Sequence, residues 1–411
     1  MIEKDVVIIG AGPAGMAAAV SAKESGVKDL LLIERENKIG GILNQCIHDG
    51  FGLHNFRESL TGPEYIDRYM QKISQLGIDV MSNTMVVNLN KDKVLTVSNP
   101  SGRLRIKAKS IILAMGCRER TRGAISIPGS RPSGIFTAGV AQRLMNIQNY
   151  SVGKRIVILG SGDIGLIMAR RLTLEGSKVL AVLEKLPFSS GLPRNITQCL
   201  EDFNIPLKLS HTVVKIYGKE RLTGVDYAQL DERGKVIEGT TRHLNCDTLL
   251  LSVGLIPENE LSEEAGVHLD ERTMGAIVDD TYQTNIPGVF SAGNVLHVHD
   301  LADMASMEGK KVGIFASMYI RGEIKEEKLY DVIAGEGVRY VLPQKISTQR
   351  DVQLLLRVKA PIRDHYIVVR DSKRVIKRRK VINMHPAVML SLSLKAKELA
   401  ETNGRIEVLI E

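Results

Sequence analysis

Four short apolar runs along the chain end in glycine: Val6–Ile9 before Gly10, Ser110–Met115 before Gly116, Arg155–Leu159 before Gly160 and Asp247–Val253 before Gly254. Runs of this length, apolar on both faces, fit strands buried in a parallel sheet. Between them the period changes. Tyr65, Ile66, Tyr69, Ile73 and Leu76 recur near 3.6 residues, which predicts an amphipathic helix over 62–76. Residues 84–107 alternate apolar and polar and break at Asn99-Pro100-Ser101-Gly102, which predicts short antiparallel strands. Further helices are expected at Ala138–Asn146, Ile167–Glu175 and 301–320, the last capped by Asp300. The tail is predicted as alternating strands over 338–384, a helix over about 387–402 and a final strand at Arg405–Ile410.

Two of the apolar runs open the same local pattern. Val6–Ile9 leads into Gly10-Ala11-Gly12-Pro13-Ala14-Gly15, a helix, and a second run ending at Glu34. Arg155–Leu159 leads into Gly160-Ser161-Gly162-Asp163-Ile164-Gly165, a helix, and a second run ending at Glu184. Each acid lies nineteen residues after its third glycine. The physical demands explain the residue types. The first glycine turns out of the strand, the second lets backbone N–H groups approach a pyrophosphate, and the third lets helix pack on strand. The helix N-terminus meets the phosphates with its positive end, and the acid accepts from ribose hydroxyls. One such turn is weak as a signal. Two at equal spacing make an internal repeat and predict two dinucleotide sites in an α/β chain with two Rossmann-like domains and a small C-terminal α+β domain.

Composition narrows the class without changing this picture. The 411 residues are 44% hydrophobic and 25% charged, ordinary for a globular protein of two or three domains. No apolar run approaches the ~18–20 residues that span a membrane. The N-terminus has no basic leader before its first strand, and no signal peptide is expected. Cys46, Cys117, Cys199 and Cys246 are far apart and have neither C-x-x-C nor zinc spacing, so reduced thiols and a cytoplasmic location are expected. Of the net charge of +8, residues 331–411 contribute 16 Lys and Arg against 9 Asp and Glu. The densest cluster, Lys373-Arg374 with Lys377–Lys380, reads as a solvated edge strand or as a docking surface. It lacks the interleaved aromatics that stack on bases, and no nucleic-acid role is expected.

The order of these motifs resembles the two-dinucleotide-domain flavoproteins of the pyridine nucleotide–disulfide oxidoreductase superfamily over about residues 1–325. The resemblance implies FAD at the first turn and NAD(H) at the second. It divides the chain into 1–120, the first part of an FAD-binding domain; 121–270, an NAD(H)-binding domain; 271–328, the second part of the FAD domain; and 329–411, a C-terminal domain. It implies FAD contacts at Gly10, Gly12, Pro13, Ala14, Gly15, Glu34, Arg35, Gly41, Ile42, Val86, Ala114, Gly116, Gly293, Asn294 and Ala302. It implies NAD contacts at Gly160, Gly162, Asp163, Ile164, Gly165, Glu184 and Gly254. Asn294 stands where that superfamily usually has an aspartate bonding the ribityl chain. An amide still bonds a hydroxyl, without the charge. The acid Glu184 favours NAD over NADP, because a carboxylate repels a 2′-phosphate.

The segments Leu113–Arg120, Ile127-Pro128-Gly129 and Gly134–Gln142 resemble the FAD/NAD-binding subunits of bacterial sarcosine, opine and proline dehydrogenase complexes. Gly40–His48 and Asn294–Asp300 resemble a group associated with a glycerol-3-phosphate-dehydrogenase-like flavoprotein and a small cysteine-rich or iron–sulfur protein. This implies an oligomeric subunit that exchanges hydride between NAD(H) and FAD and trades electrons with a partner dehydrogenase. Two alternatives stand beside it: an NADH oxidase or peroxidase using Cys46 assisted by His48, and a non-catalytic scaffold that keeps FAD for structure. The superfamily's redox cysteine pair is missing, so disulfide reduction is not expected. His297, His299, Asp300 and Asp303 suggest a metal set, but capping and flavin contacts account for them and no metal is expected. Arg118, Glu119 and Arg120 read as an ion-pair network.

Overall fold

A computed structural model describes residues 1–411, in two compact units: residues 1–117 with 257–411, and residues 118–256.

The first unit begins β1 (Ile2–Ile9), α1 (Pro13–Glu24), β2 (Leu30–Ile33), α2 (Gly62–Gln75) and β3 (Asp79–Met81), followed by β4 (Met85–Leu89), β5 (Val94–Asn99) and β6 (Gly102–Leu113). Their sheet runs β3-β2-β1-β6-β5-β4. The all-apolar runs of β1 and β2 lie buried at its centre, as parallel strands covered on both faces require. β6 is a single twelve-residue strand, where the sequence pattern suggested a break near 107. It runs parallel to β1 along most of its length. Its other edge changes partner midway, from antiparallel β5 to a later parallel strand. Alternation in its first half and an apolar run in its second reflect that change of neighbours. α2 forms where its period predicts, held by a capping box between Thr61 and Glu64.

The second unit holds β7 (Cys117–Glu119), α3 (Arg122–Ile125), β8 (Ile135–Thr137), α4 (Ala138–Asn146), β9 (Arg155–Leu159), α5 (Asp163–Leu174), β10 (Lys178–Glu184), α6 (Pro193–Cys199) and β11 (Leu207–Leu209). It continues through β12 (His211–Gly218), β13 (Leu222–Gln229), β14 (Arg242–Leu244), β15 (Thr248–Leu251) and β16 (Leu255–Pro257). A parallel sheet in the order β11-β10-β9-β15-β8 carries the second glycine turn, and β12–β14 form a separate antiparallel sheet. α5 starts at Asp163, four residues before its predicted start, because the turn itself is the helix N-terminus. Both Glu119 carboxylate oxygens accept the Gly139 N–H at 2.9 Å, at the start of α4.

The chain returns to the first unit with α7 (Glu260–Ala265), β17 (Val289–Ser291) and the nineteen-residue α8 (Ala302–Ile320). β17 is the late parallel partner of β6. α8 lies on α1 by close backbone approach: a Cβ at Gly309 would sit 2.1 Å from Ala14 O, and one at Gly313 2.3 Å from Ala18 O. The N-cap of α8 is Leu301, not Asp300.

The remaining elements are β18 (Tyr330–Ala334), β19 (Val338–Leu342), β20 (Lys345–Ile346), β21 (Val352–Val358), β22 (Ile362–Arg370), β23 (Val375–Met384), β24 (Leu390–Leu394), α9 (Ala396–Leu399) and β25 (Ile406–Ile410). They enclose their own core, which includes Val338, Leu354, Ile367 and Val408. The helix predicted over 387–402 reduces to α9, because Leu390-Ser391-Leu392-Ser393-Leu394 alternates with period two and pairs with β21. β23, with its basic cluster, is the edge strand of its sheet, and Lys377 pairs with Glu398. No helix of the chain is long and apolar enough to cross a membrane.

Candidate functional site

The first glycine turn is closed at both ends by contacts that leave no room for side chains. Gly10 has φ +99°, and a Cβ there would lie 2.4 Å from Ala114 O. A Cβ at Gly15 would lie 1.8 Å from Gly10 O. At Gly12, between them, a Cβ would meet nothing within 4 Å. The turn therefore packs at its ends and opens at its middle, which is the cradle a pyrophosphate needs. Gly12 is also the N-cap of α1, with Pro13 in the first turn and neither a side-chain cap nor an acid there, so the N-terminal amides face that space uncompensated. Gly40 N–H donates to Ala11 O at 2.7 Å, and Gly41 (φ +57°) sits against Gly12. Glu34 is buried; one oxygen accepts from Ala11 N–H at 2.8 Å and the other from Glu36 N–H at 3.0 Å. These residues fit the phosphates and ribose of a dinucleotide.

The second turn repeats the geometry. Gly160 has φ +96°, and its Cβ would lie 2.0 Å from Ser252 O. A Cβ at Gly165 would meet the Ser252 side chain at 2.6 Å. At Gly162 the nearest atom would be Ser252 Oγ at 3.1 Å. Glu184 is buried like Glu34 and repeats both its bonds, from Ser161 N–H at 2.9 Å and Leu186 N–H at 3.0 Å. It also accepts the hydroxyls of Ser161 and Ser190. Asp163 turns away from the glycine turn to accept from Leu192 N–H and the Asn195 amide. Ile164 packs on the unit's core. Gly254, at φ +101°, accepts Arg120 N–H.

The other predicted residues of the first unit fall in several settings. Ala114 is buried beside the first turn, and its N–H donates to Ile9 O. Gly116, at φ +75°, accepts Glu258 N–H. Arg35 is half exposed and pairs with Glu258 at 3.3 Å. Val86 is a buried core side chain, and Ile42 is exposed. Ala302 opens α8. Asn294 accepts His299 N–H at 3.0 Å through Oδ1, and its amide nitrogen lies 3.6 Å from Cys117 Sγ.

Cys46 does not have the surroundings of a reactive thiolate. It is buried, its thiol is pushed up to about 12 by burial, and Sγ lies 3.4 Å from Ile42 O. The His48 ring lies against Phe51 with centroids 5.0 Å apart. No disulfide joins any of the four cysteines. Cys246, in the second unit, is likewise pushed up to about 12 by burial.

Sequence reasoning missed a buried acid on α8. Glu308 accepts Gly293 N–H at 2.7 Å and lies 2.9 Å from His297 Nε2 and 3.4 Å from His299 Nε2. Burial alone would raise its carboxyl, but the two histidines outweigh that and hold it well below the usual carboxylate range. Arg357 of β21 was also missed. It is buried and donates to Val298 O and Asp300, and to the Tyr340 hydroxyl at 2.9 Å. Asp300 therefore anchors β21 and the Met389 N–H, not the start of α8.

Twin Rossmann-like turns, each with glycines packed at its ends and a buried acid bonded back to it, are the geometry of a protein with two dinucleotide folds. Residues 4–309 match the pyridine nucleotide-disulphide oxidoreductase family model, and the chain belongs to that family, whose members use FAD and NAD(P)H. Among curated relatives, an alkyl hydroperoxide reductase component of Staphylococcus aureus is 27% identical over 71% of this chain and 54% of its own length. An opine oxidase component of Agrobacterium tumefaciens is 25% identical over 71% of this chain and 61% of its own length. The chain thus spans about half to three-fifths of the length of these relatives. Among solved structures, thioredoxin reductase of T. acidophilum superposes with a TM-score of 0.63 at 25% identity, covering 78% of this chain and 99% of that one.

Proposed function

We propose that this chain is the NAD(H)–FAD exchange subunit of a multi-component dehydrogenase. The carrying observation is the pairing of two complete nucleotide turns with four cysteines that neither bridge nor stand at C-x-x-C spacing. Bound FAD and NAD(H) supply the chemistry, hydride passing between nicotinamide C4 and flavin N5. The chain's own residues bind and orient. The Gly10–Gly15 turn and the α1 amides hold the FAD pyrophosphate and Glu34 its ribose. The Gly160–Gly165 turn and Glu184 hold NAD, with the Glu184 carboxylate disfavouring a 2′-phosphate. Asn294 bonds the flavin's ribityl chain from the loop before α8.

Electrons then pass to or from a partner that handles the organic substrate. The alkyl hydroperoxide reductase and opine oxidase relatives are both named as single subunits of larger enzymes, which supports a place in a multi-component system. The resemblance of Asn294–Asp300 supports a glycerol-3-phosphate-dehydrogenase-like flavoprotein and a small cysteine-rich or iron–sulfur protein as partners. Anaerobic addition of one equivalent of NADH to the purified chain tests the exchange. The flavin's visible band should bleach and recover on adding an artificial electron acceptor. An unchanged spectrum with FAD present would overturn the reading.

A further inference from the structure

We propose that His297, His299 and Glu308 bind one divalent first-row transition-metal ion, zinc by the character of the ligands. The sequence grouped the two histidines with Asp300 and Asp303. The fold sends both of those acids elsewhere: Asp300 to Arg357 and Met389 N–H, Asp303 to the N–H groups of Gly52 and Asn55. It brings in Glu308 from the second turn of α8 instead. One potential ligand atom from each of His297, His299 and Glu308 lies within 4.8 Å of the others. Their side chains are 0%, 5% and 3% exposed.

The hydrogen-bond pattern says which nitrogen of His299 faces the cluster. Asn294 Oδ1 accepts the His299 backbone N–H at 3.0 Å, so that atom is the amide oxygen. The same oxygen lies 3.3 Å from His299 Nδ1. An oxygen only accepts, so Nδ1 carries a ring hydrogen. Nε2 is then the nitrogen that faces the cluster, with a proton toward the carboxylate when no ion is bound or a lone pair toward a bound ion. It is buried and lies 3.4 Å from a Glu308 carboxylate oxygen, without hydrogen-bond geometry to it or to any other group. A carboxylate and an imidazole nitrogen this close in a dry interior need a proton or a metal ion between them, and a third donor atom within reach, a nitrogen, suits the metal. A neutral histidine whose outer N–H donates to a fixed oxygen is the form in which proteins present imidazole to a metal, with tautomer and ring angle set by that outer bond. Two imidazole nitrogens and one carboxylate oxygen form a ligand set that zinc takes with water in the fourth position. The bound ion would pin the 293–299 loop to α8.

The inference stands on these three side chains and is independent of which partner the chain serves. The test uses the full chain, purified without chelator or polyhistidine tag, and measures metal by mass spectrometry beside FAD by absorbance. About one zinc per chain is expected, falling to background in His299→Ala. Co²⁺ replacing zinc should give the visible bands of a tetrahedral site in the wild type and none in the variant. His299→Cys, which restores a ligand atom, should recover metal, so a folding defect in the alanine variant does not decide the outcome. A wild-type chain that holds no metal as purified and takes up neither Zn²⁺ nor Co²⁺ would overturn the proposal and leave an ion pair only. Metal content is read without NADH, so this failure is distinct from a failure of hydride exchange.

Discussion

The two glycine turns share a backbone and differ in their charges. Gly10 and Gly160 both have positive φ, and both would place a Cβ against a backbone carbonyl, of Ala114 and Ser252 respectively. Glu34 and Glu184 make the same two backbone bonds. Beyond that they diverge. The first turn opens on empty space and a helix with no acid in its first turn. The second has Ser252 Oγ beside Gly162, Asp163 in the first helical turn, and an acid already holding two serine hydroxyls. An anion at the first turn meets uncompensated amides; at the second the helix start also carries the Asp163 carboxylate, turned aside to Leu192 N–H and Asn195 but still adding negative charge there. That difference suits a nucleotide that stays at the first turn and one that comes and goes at the second.

Substitutions at the paired glycines are expected to break the two turns separately, with the largest effects. Gly10→Ala should lose bound FAD by more than about tenfold, because both the positive φ and the 2.4 Å approach to Ala114 O forbid a side chain. The ratio of flavin to protein absorbance measures it. Gly160→Ala should keep FAD and slow flavin reduction by NADH more than about tenfold. If both variants lose FAD equally, the turns do not act separately.

The next effects are of about tenfold and come from charge. Glu184→Gln should narrow the preference for NADH over NADPH by about that factor in kcat/KM, since a charge-assisted bond to the 2′-hydroxyl is worth ~1.5–3 kcal/mol against ~1 for a neutral one. Asn294→Asp should tighten FAD by a similar factor, measured by apoprotein titration, because the carboxylate keeps the bond from His299 N–H and adds charge toward a ribityl hydroxyl.

The smallest effect is expected at Cys46. Its thiol is pushed up to about 12, so at pH 8 only about one molecule in ten thousand carries the thiolate. Native protein should leave Cys46 unalkylated by iodoacetamide at that pH, with labelling appearing on denaturation, and Cys46→Ser should leave flavin reduction by NADH within about twofold. Rapid native labelling would restore the peroxidase reading.

Features set by local pattern were legible in the sequence. The glycine spacing, the acids nineteen residues on, α2 and α4 all follow from periods and turns within a few residues of one another. What the sequence hid depends on distant partners. Asp300 looks like a helix cap until Arg357 of β21 claims it. Leu390–Leu394 reads as the start of a helix until β21 offers a strand edge. Glu308 is an ordinary acid in a helix until the loop before α8 folds two histidines and Gly293 N–H onto it.

The central claim is that the two turns hold different nucleotides and exchange hydride between them. The most direct measurement is the anaerobic rate of flavin bleaching by NADH in the wild type and in Gly160→Ala at equal FAD content. Fast bleaching in the wild type and loss of it in the variant is the predicted result. Equal bleaching in both, or none in the wild type, would contradict the account.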